Sequence, residues 1–162
     1  MTLIPIRVPI LTVVVFAFAV LSGGCDSNPV GNKCFIADAG VDEITQARIS
    51  SGAVDCISRL CLSVPTEVGV VLPAGSEETP LCTGGCSSDS DCDRVSVSPC
   101  QSGFTCRIQM SVGPFCCRKL CVCKDFFNVP DAGVSPTPPA CDPDNADNTC
   151  CNLPGRGECS PI

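Results

Sequence analysis

The sequence contains no histidine, tryptophan or tyrosine, and only seven phenylalanines in 162 residues. Without histidine, neither a Ser-His-Asp nor a Cys-His catalytic arrangement can be built, and the usual nitrogen ligand of zinc is missing. Lysine and arginine number ten and form no run, whereas a surface that binds a nucleic-acid backbone needs clustered cations. We therefore predict a protein that is not an enzyme, uses no cofactor and does not bind nucleic acid.

Cysteine, by contrast, is abundant: the chain has seventeen, about a tenth of all residues. Such a density in a short chain is typical of a disulfide scaffold. Because large aromatic side chains bury the most area, their scarcity indicates that cross-links rather than a conventional core limit the unfolded ensemble. We expect a small disulfide-rich fold with little regular secondary structure, short β-hairpins and one short helix.

The N-terminus has the pattern of an export signal. Residues 8–21 form an apolar run after Arg7, too short for a typical membrane span of about 20 residues, and Ser22-Gly23-Gly24 follow. The stretch from Leu21 to Cys25 resembles the lipobox of bacterial lipoprotein precursors, with Ser22 standing where the family has leucine. The resemblance implies that residues 1–24 are a signal peptide, that Cys25 becomes the lipid-modified N-terminus, and that the protein is anchored to a membrane of the cell envelope, facing the periplasm or the exterior.

The alternative is a plain secretory signal, with Cys25 as an ordinary disulfide cysteine. Seventeen is odd, so at least one cysteine lacks an intramolecular partner. If Cys25 carries lipid, the other sixteen are able to form eight disulfides. These are Cys34, Cys56, Cys61, Cys82, Cys86, Cys92, Cys100, Cys106, Cys116, Cys117, Cys121, Cys123, Cys141, Cys150, Cys151 and Cys159.

Composition divides the mature chain into four parts. Residues 25–33 are predicted to be a lipid-anchored tether, and 34–128 a cysteine-rich module. Residues 129–140 contain four prolines and no cysteine, which indicates a semi-rigid linker. Residues 141–162 hold four cysteines, so we expect this C-terminal knot to close internally with two bridges, in one of three connectivities.

Within the module, the segment from Cys56 to Cys123 resembles a cysteine-rich module of myxobacterial-type lipoproteins. Its C-SSDSD-C stretch, followed by a Gly-aromatic-x-Cys, is also similar to the N-terminal cysteine-rich region of Dickkopf proteins. The resemblance implies a disulfide module and no particular activity. Residue patterns predict a helix over 41–51 and short strands over 67–72 and 104–108.

Metal binding is the main rival use of these residues. The chain has no C-x2-C spacing, so disulfides are favoured over zinc and over a thioredoxin-like site. Two acidic clusters are interpreted as solvated charges rather than calcium sites, because the twelve-residue calcium pattern is missing. One adjacent carboxylate pair is interpreted as surface charge rather than a catalytic pair, because nothing indicates a substrate cleft. They are Asp142, Asp144, Asn145, Asp147 and Asn148; Asp89, Asp91 and Asp93; and Glu77 with Glu78.

These patterns favour a lipid-anchored, extracytoplasmic, disulfide-rich structural or protein-interaction module, with a protein partner that the sequence does not identify. The alternative is a protease inhibitor, because small disulfide scaffolds often present a rigid reactive loop. Gln101-Ser102-Gly103 beside Cys100, or Arg156 between Gly155 and Gly157, would be such loops.

Overall fold

The structure, a computed structural model, describes residues 29–37, 46–128, 137–145 and 150–153. In these residues there is no α-helix, and regular structure consists of two small antiparallel sheets and three 3-10 turns. The first sheet has the order β1 (Arg48–Ser51), β2 (Leu60–Ser63) and β3 (Leu81–Thr83); the second is a hairpin of β4 (Phe104–Ile108) and β5 (Lys119–Cys123). The 3-10 turns are Asp89–Asp91, Lys124–Phe126 and Pro139–Cys141. The prediction of a small disulfide-rich fold with little regular structure is therefore confirmed, as is the strand over 104–108.

The N-terminal segment covers the outer edge of β3. The amide of Gly31 donates to the Cys82 carbonyl at 2.9 Å, and the Cys82 amide donates back to Asn32 at 2.7 Å. Gly31 has φ +99° and lies so close to the Phe104 ring that a β-carbon there would be 2.9 Å from it, so only glycine fits. This pairing fixes the N-terminal segment against the core, where Val30 is fully buried.

The predicted helix over 41–51 is wrong where the structure describes it. Residues 48–51 form β1, which pairs with β2 in the register Ile49 opposite Leu62, and residues 41–45 lie outside the described residues. Helical spacing of Ile44 and Arg48 was a weak local signal. Residues 48–51 form a strand instead because they can pair with the free edge of β2. There Ile49 packs against the main apolar cluster, and this tertiary contact overrides the local helix preference.

The predicted strand over 67–72 is also wrong. The segment turns at Gly69, which has φ +87°, and the amide of Val70 donates to the carbonyl of Glu67. Val68 and Val71 are exposed rather than packed in a sheet. A valine-rich run forms a strand only where it finds a partner edge and a face to bury, and this run has neither.

The main core lies between the two sheets. It combines side chains from β2, β3, β4 and β5 with Phe126 and Phe127, and Leu120 at its centre is fully buried. Four of the five phenylalanines after residue 25 are buried, Phe35 being the exception. A second, smaller cluster under the β1–β2 loop is built mainly of sulfur, from Cys56, Cys61 and Cys82 with Ile36.

Seven disulfides link described cysteines. Five of them lie between residues 34 and 123, and the other two join the hairpin region to the C-terminal segment. Their sequence separations run from 20 to 34 residues, for which the chain-entropy model gives roughly 3–4 kcal/mol of stabilisation each. The pairs are Cys34–Cys61, Cys56–Cys82, Cys86–Cys106, Cys92–Cys121, Cys100–Cys123, Cys116–Cys150 and Cys117–Cys141.

The expected internal closure of the C-terminal knot is wrong. Cys141 is bonded to Cys117 and Cys150 to Cys116, so the tail is linked to the module by two bridges. Cys151 is disulfide-bonded as well, and its partner lies outside the described residues. Counting four cysteines in the tail could not reveal this, because an even number permits internal pairing without requiring it.

Candidate interaction groove

A groove of about 350 Å³ opens where the chain leaves β2 and β4, a volume within the range of small binding sites. Its residues come from four parts of the chain: the segment before β1, the segment after β2, the segment after β4, and Phe127 beyond β5. The lining residues are Gln46, Ala47, Val64, Pro65, Glu67, Gln109, Met110, Ser111, Val112 and Phe127.

The floor of the groove is apolar and rigid. Val64 and Phe127 belong to the main core and are 7% and 6% exposed, and Met110 packs against the same core. Val112 on the rim is 77% exposed. An apolar side chain inserted here would therefore contact core residues below and an unburied valine at the edge.

Arg107 packs on the Phe127 ring, with its guanidinium carbon 4.0 Å from the ring centroid. Such cation–π contacts strengthen when the cation is partly removed from water. Burial lowers the pKa of Arg107, and the negative charge of Glu67 opposes that shift in part. The arginine stays charged, so the groove has a partly desolvated cation against its aromatic wall.

Unpartnered polar atoms are concentrated around this groove. Four buried side-chain nitrogen or oxygen atoms lack a hydrogen-bond partner in the described part of the chain, and the oxygen of Ser63 is one. The other three are Thr66 Oγ1, Arg107 Nε and Gln109 Nε2, all on residues that line the groove or adjoin its lining. Because an unpaired buried polar atom costs about 1–3 kcal/mol, their presence in one place calls for an explanation.

Glu67 is the single formally charged side chain among the lining residues, and the chain holds it in place. Its amide donates to the Phe126 carbonyl at 2.7 Å, and its carboxylate accepts the Asn128 amide at 3.3 Å. The carboxylate is thus a fixed acceptor at the groove.

The structure describes fifteen of the seventeen cysteines, and Cys25 and Cys159 lie outside the described residues. Three groups bring ligand-type atoms within 4.8 Å of one another, two of them sulfur-only and the third joining Cys100 and Cys123 to Asp125. Every sulfur in these groups is in a disulfide, and a disulfide sulfur is not the thiolate that binds metal.

The three acidic residues near Cys92 are exposed, and two of them also accept hydrogen bonds from backbone amides. Asp89 accepts the Thr105 hydroxyl at 2.9 Å and the Cys106 amide at 2.8 Å, which satisfies the outer edge of β4. The carboxylate of Asp91 accepts hydrogen bonds from the amides of Ser87 and Ser88. These bonds lower the pKa of Asp91, and the bond from Ser87 has the larger effect.

The second acidic cluster is described only in part. The carboxylate of Asp142 accepts the amide of Asp144 at 3.0 Å and its carbonyl accepts the amide of Asn145, as in a local turn. Asp147 and Asn148 lie outside the described residues.

The carboxylates of Glu77 and Glu78 bind different parts of the chain. Glu77 forms an exposed ion pair with Lys33 at 2.5 Å, and Glu78 accepts the amide of Thr66 at 3.2 Å. Glu77 thus ties the long β2–β3 connection to the N-terminal segment, and Glu78 bonds to another residue of the same connection.

The Gln101–Gly103 loop is held by Asp125, which is buried. Its carboxylate accepts the amides of Gln101 at 2.6 Å and Ser102 at 2.9 Å and also the hydroxyl of Ser76. The Gln101 side chain, which an inhibitor would insert into a protease, donates to the Gly75 carbonyl at 3.3 Å. The other predicted loop, at Arg156, lies outside the described residues.

No residue of the groove was predicted from the sequence to be part of a functional site. Two signals were available: the alternation of Arg107 and Gln109 along one face of the β4 segment, and the adjacent aromatic pair Phe126-Phe127. Neither says that β2 and β4 end side by side, which depends on tertiary packing. Among the described residues, no helix has the length and apolar character needed to cross a membrane.

Comparisons with known proteins add no relative: no family model matches the chain, and neither a curated protein nor a solved structure matches it significantly.

Proposed function

We propose that this protein is a lipid-anchored, extracytoplasmic module that binds a protein partner through the groove. Seven disulfides around a small core support a place outside the cytoplasm, because such bonds persist in oxidising compartments. The apolar run that ends at Ser22-Gly23-Gly24-Cys25 supports the anchor.

The observation that carries the binding role is the grouping of Thr66 Oγ1, Arg107 Nε and Gln109 Nε2, all unpaired, around one apolar groove. A partner segment with an apolar side chain flanked by backbone carbonyls fits this surface. The side chain contacts Val64 and Phe127, and Glu67 accepts a partner amide. The nitrogens of Arg107 and Gln109 are buried, so a side-chain rearrangement on binding exposes them to the partner carbonyls. An extended peptide of a protein provides all of these groups.

The anchor is tested by intact mass spectrometry of the mature protein purified from membranes. We expect a chain that begins at Cys25 and carries the mass of its acyl groups, and Cys25→Ala should accumulate as a larger, unlipidated precursor. An unmodified chain recovered from the medium and cut before residue 25 would refute the anchor and leave the groove unaffected.

The groove is tested with a photo-reactive phenylalanine analogue at Val112 on its rim. A matched control carries the analogue at Val97, which is 80% exposed and does not line the groove. In intact cells we expect a defined adduct from position 112, at least fivefold stronger than from position 97. Ala47→Phe, which fills the groove, should abolish it while native disulfide mass is retained. Equal labelling at both positions, or labelling that survives Ala47→Phe, would contradict the proposal.

A further inference from the structure

The two sheets carry the same arrangement of four half-cystines. In each sheet two cysteines lie opposite each other on neighbouring strands without being bonded to each other: Cys61 opposite Cys82, and Cys106 opposite Cys121. Each of these cysteines is bonded instead to one outside the strands. The bonds are Cys61 to Cys34, Cys82 to Cys56, Cys106 to Cys86 and Cys121 to Cys92. Each sheet therefore holds two disulfides side by side.

The two disulfides of each sheet are close enough to exchange partners. In the first sheet, the sulfur of Cys34 lies within 4.8 Å of both sulfurs of the Cys56–Cys82 bridge. In the hairpin, the sulfur of Cys86 lies within the same distance of both sulfurs of the Cys92–Cys121 bridge. A disulfide exchanges when a thiolate attacks one of its sulfurs and expels the other as a new thiolate. A thiolate released at Cys86 therefore has a second disulfide beside it.

Exposure distinguishes the two sites. In the hairpin, Cys86 and Cys106 are both partly exposed, so an external thiolate is able to approach either sulfur of their bridge. The neighbouring bridge Cys92–Cys121 is buried and is reached only from within the site. In the first sheet, Cys34 is partly exposed but Cys61 is fully buried. Attack on Cys34 would expel a charged thiolate into apolar surroundings, which is costly. The hairpin site is thus the more open to exchange.

We propose that the Cys86–Cys106 bridge is a thiol-exchange site, through which the hairpin cysteines convert to a second pairing, Cys86–Cys92 with Cys106–Cys121. An incoming thiolate attacks the sulfur of Cys106 and expels Cys86 as a thiolate. That thiolate attacks Cys92 and expels Cys121, which attacks Cys106 and expels the incoming thiolate again. Two disulfides break and two form, so no oxidant or reductant is consumed. First attack at Cys86 leads to the same product, because Cys106 then attacks Cys121, and the expelled Cys92 attacks Cys86.

The proposed product fits the geometry of the hairpin. Residues directly opposite each other in an antiparallel ladder have Cα atoms about 4.5–5.5 Å apart and side chains on the same face, and a disulfide spans about 4.4–6.8 Å between Cα atoms. Cys106 and Cys121 are such a pair. The sulfurs of Cys86 and Cys92 already lie within 4.8 Å of each other. The other possible product, Cys86–Cys121 with Cys92–Cys106, has no such strand register behind its second bridge.

Exchange changes how the turn Asp89–Asp91 is attached to the hairpin. The turn lies between Cys86 and Cys92, and both of these cysteines are now bonded to strands β4 and β5. In the second pairing they are bonded to each other. Noncovalent contacts then attach the turn to β4, such as the hydrogen bonds that Asp89 accepts from Thr105 and the amide of Cys106. The site is therefore a switch between covalent and noncovalent attachment of this acidic turn.

Trypsin distinguishes the two pairings without reduction, because no lysine or arginine lies between Cys86 and Cys92. In the present pairing, tryptic peptide 60–94 is linked to peptides 95–107 and 120–124, which we call the hairpin pair. In the second pairing, Cys86–Cys92 lies within peptide 60–94, and the hairpin pair is released as two peptides joined to each other. The other possible product keeps all three peptides linked.

The test uses the full-length protein with its native disulfides and 2-mercaptoethanol as the probe. This thiol carries no carboxylate for the exposed Asp89, Asp91 and Asp93 to repel, as they would repel an acidic thiol. After incubation the protein is quenched with N-ethylmaleimide, denatured, digested and analysed by mass spectrometry. We expect the hairpin pair to be released free of maleimide, and to remain linked to peptide 60–94 when no thiol is added.

The first sheet is a matched control within the same molecule. The corresponding exchange there would form Cys34–Cys56 and Cys61–Cys82, and would release peptides 34–48 and 49–59 as a joined pair. Because Cys61 is buried, we expect this release to begin at a rate at least about fivefold lower than that of the hairpin pair. Equal initial rates from the two sheets would overturn the assignment of exchange to the hairpin site.

A double variant, Cys86→Ser with Cys106→Ser, lacks the bridge at which exchange begins. It should release no hairpin pair, and the retained link between peptides 60–94 and 120–124 shows that it has folded. In the wild-type protein, absence of release would overturn the proposal, as would release only of peptides that carry maleimide, which indicates plain reduction. A parallel incubation with a reduced dithiol protein of the thioredoxin type identifies the incoming thiolate. Release by that protein alone assigns it to a protein, and release by both assigns it to accessible thiols in general.

Discussion

The two apolar clusters of this protein are built from different materials. Around the hairpin, phenylalanine, leucine and valine side chains make up most of the core, and the four half-cystines of two disulfides are buried among them. Under the β1–β2 loop, the buried residues are Ile36 and three half-cystines, with almost no other apolar side chain. The comparison teaches that disulfides have two roles here: they restrict the unfolded chain in both regions, and in the second they are also the core itself.

The strongest test of whether these disulfides also act as core is to replace both Cys56 and Cys82 with alanine, which removes their bridge. Both residues are buried, at 2% and 1% exposure, so the change removes a loop constraint and core volume together. We expect a loss of about 4–5 kcal/mol in the free energy of unfolding. The matched control replaces Cys117 and Cys141, a bridge of similar separation whose Cys117 is only partly buried. Denaturant unfolding should show the control losing clearly less, and equal losses would contradict a special core role.

The hairpin core should depend instead on side-chain volume. Leu120 is fully buried at its centre, and Leu120→Ala should cost about 3 kcal/mol because the cavity is closed in by two sheets. Leu60→Ala is the control, since Leu60 is only partly buried at the edge of the same cluster, and should cost about half as much. Chemical denaturation of both variants with disulfides intact checks this. A smaller loss for Leu120 than for Leu60 would show that the bridges, not packing, hold this region.

The sequence predicts those features that depend on composition or on a local run of residues, and it does not predict those that depend on tertiary packing. The disulfide-rich class follows from composition, and the strand over 104–108 follows from a local run of β-forming residues. The disulfide partner of each cysteine cannot be predicted from the sequence, because pairing depends on which sulfur atoms the fold brings together. Cys116 and Cys117, for example, bond to cysteines of the tail rather than to others in the module. The groove was beyond prediction for the same reason. Val64 and Gln109 line one groove only because the tertiary fold brings the chain after β2 beside the chain after β4.

A third test concerns Asp125, whose carboxylate joins the Gln101 loop to Ser76 in the β2–β3 connection. Burial by itself would raise the pKa of Asp125, but hydrogen bonds from Ser102, Ser76 and the Gln101 amide together lower it below its usual value. A carboxylate with a depressed pKa stabilises the fold above its unfolded pKa of about 3.9, and this stabilisation is lost as pH falls through the folded value. Asp125→Asn should therefore destabilise by about 1–3 kcal/mol at pH 7.

The pH dependence of this destabilisation shows whether Asp125 acts through its negative charge or only through the shape of its side chain. The difference in unfolding free energy between the wild-type protein and Asp125→Asn should be constant above about pH 5 and shrink at lower pH. Asp55→Asn, at an exposed position, is the control and should leave the profile unchanged. A pH-independent difference down to pH 2 would mean that the carboxylate acts only through its shape.

The smallest energetic effect is expected from cutting the chain between the module and its tail. Residues 129–140 contain four prolines, and a protease site placed there would break the backbone while Cys116–Cys150 and Cys117–Cys141 remain. We expect the tail to stay attached after cleavage and to separate only when reductant is added, with a shift in unfolding free energy below about 1 kcal/mol because the two bridges already close that loop. Mass spectrometry with and without reductant reports the attachment. Removing the Cys116–Cys150 bridge alone should leave the cleaved tail bound through Cys117, and only removal of both bridges should release it. A tail that leaves without reductant would contradict the two observed bridges and restore an internally closed knot.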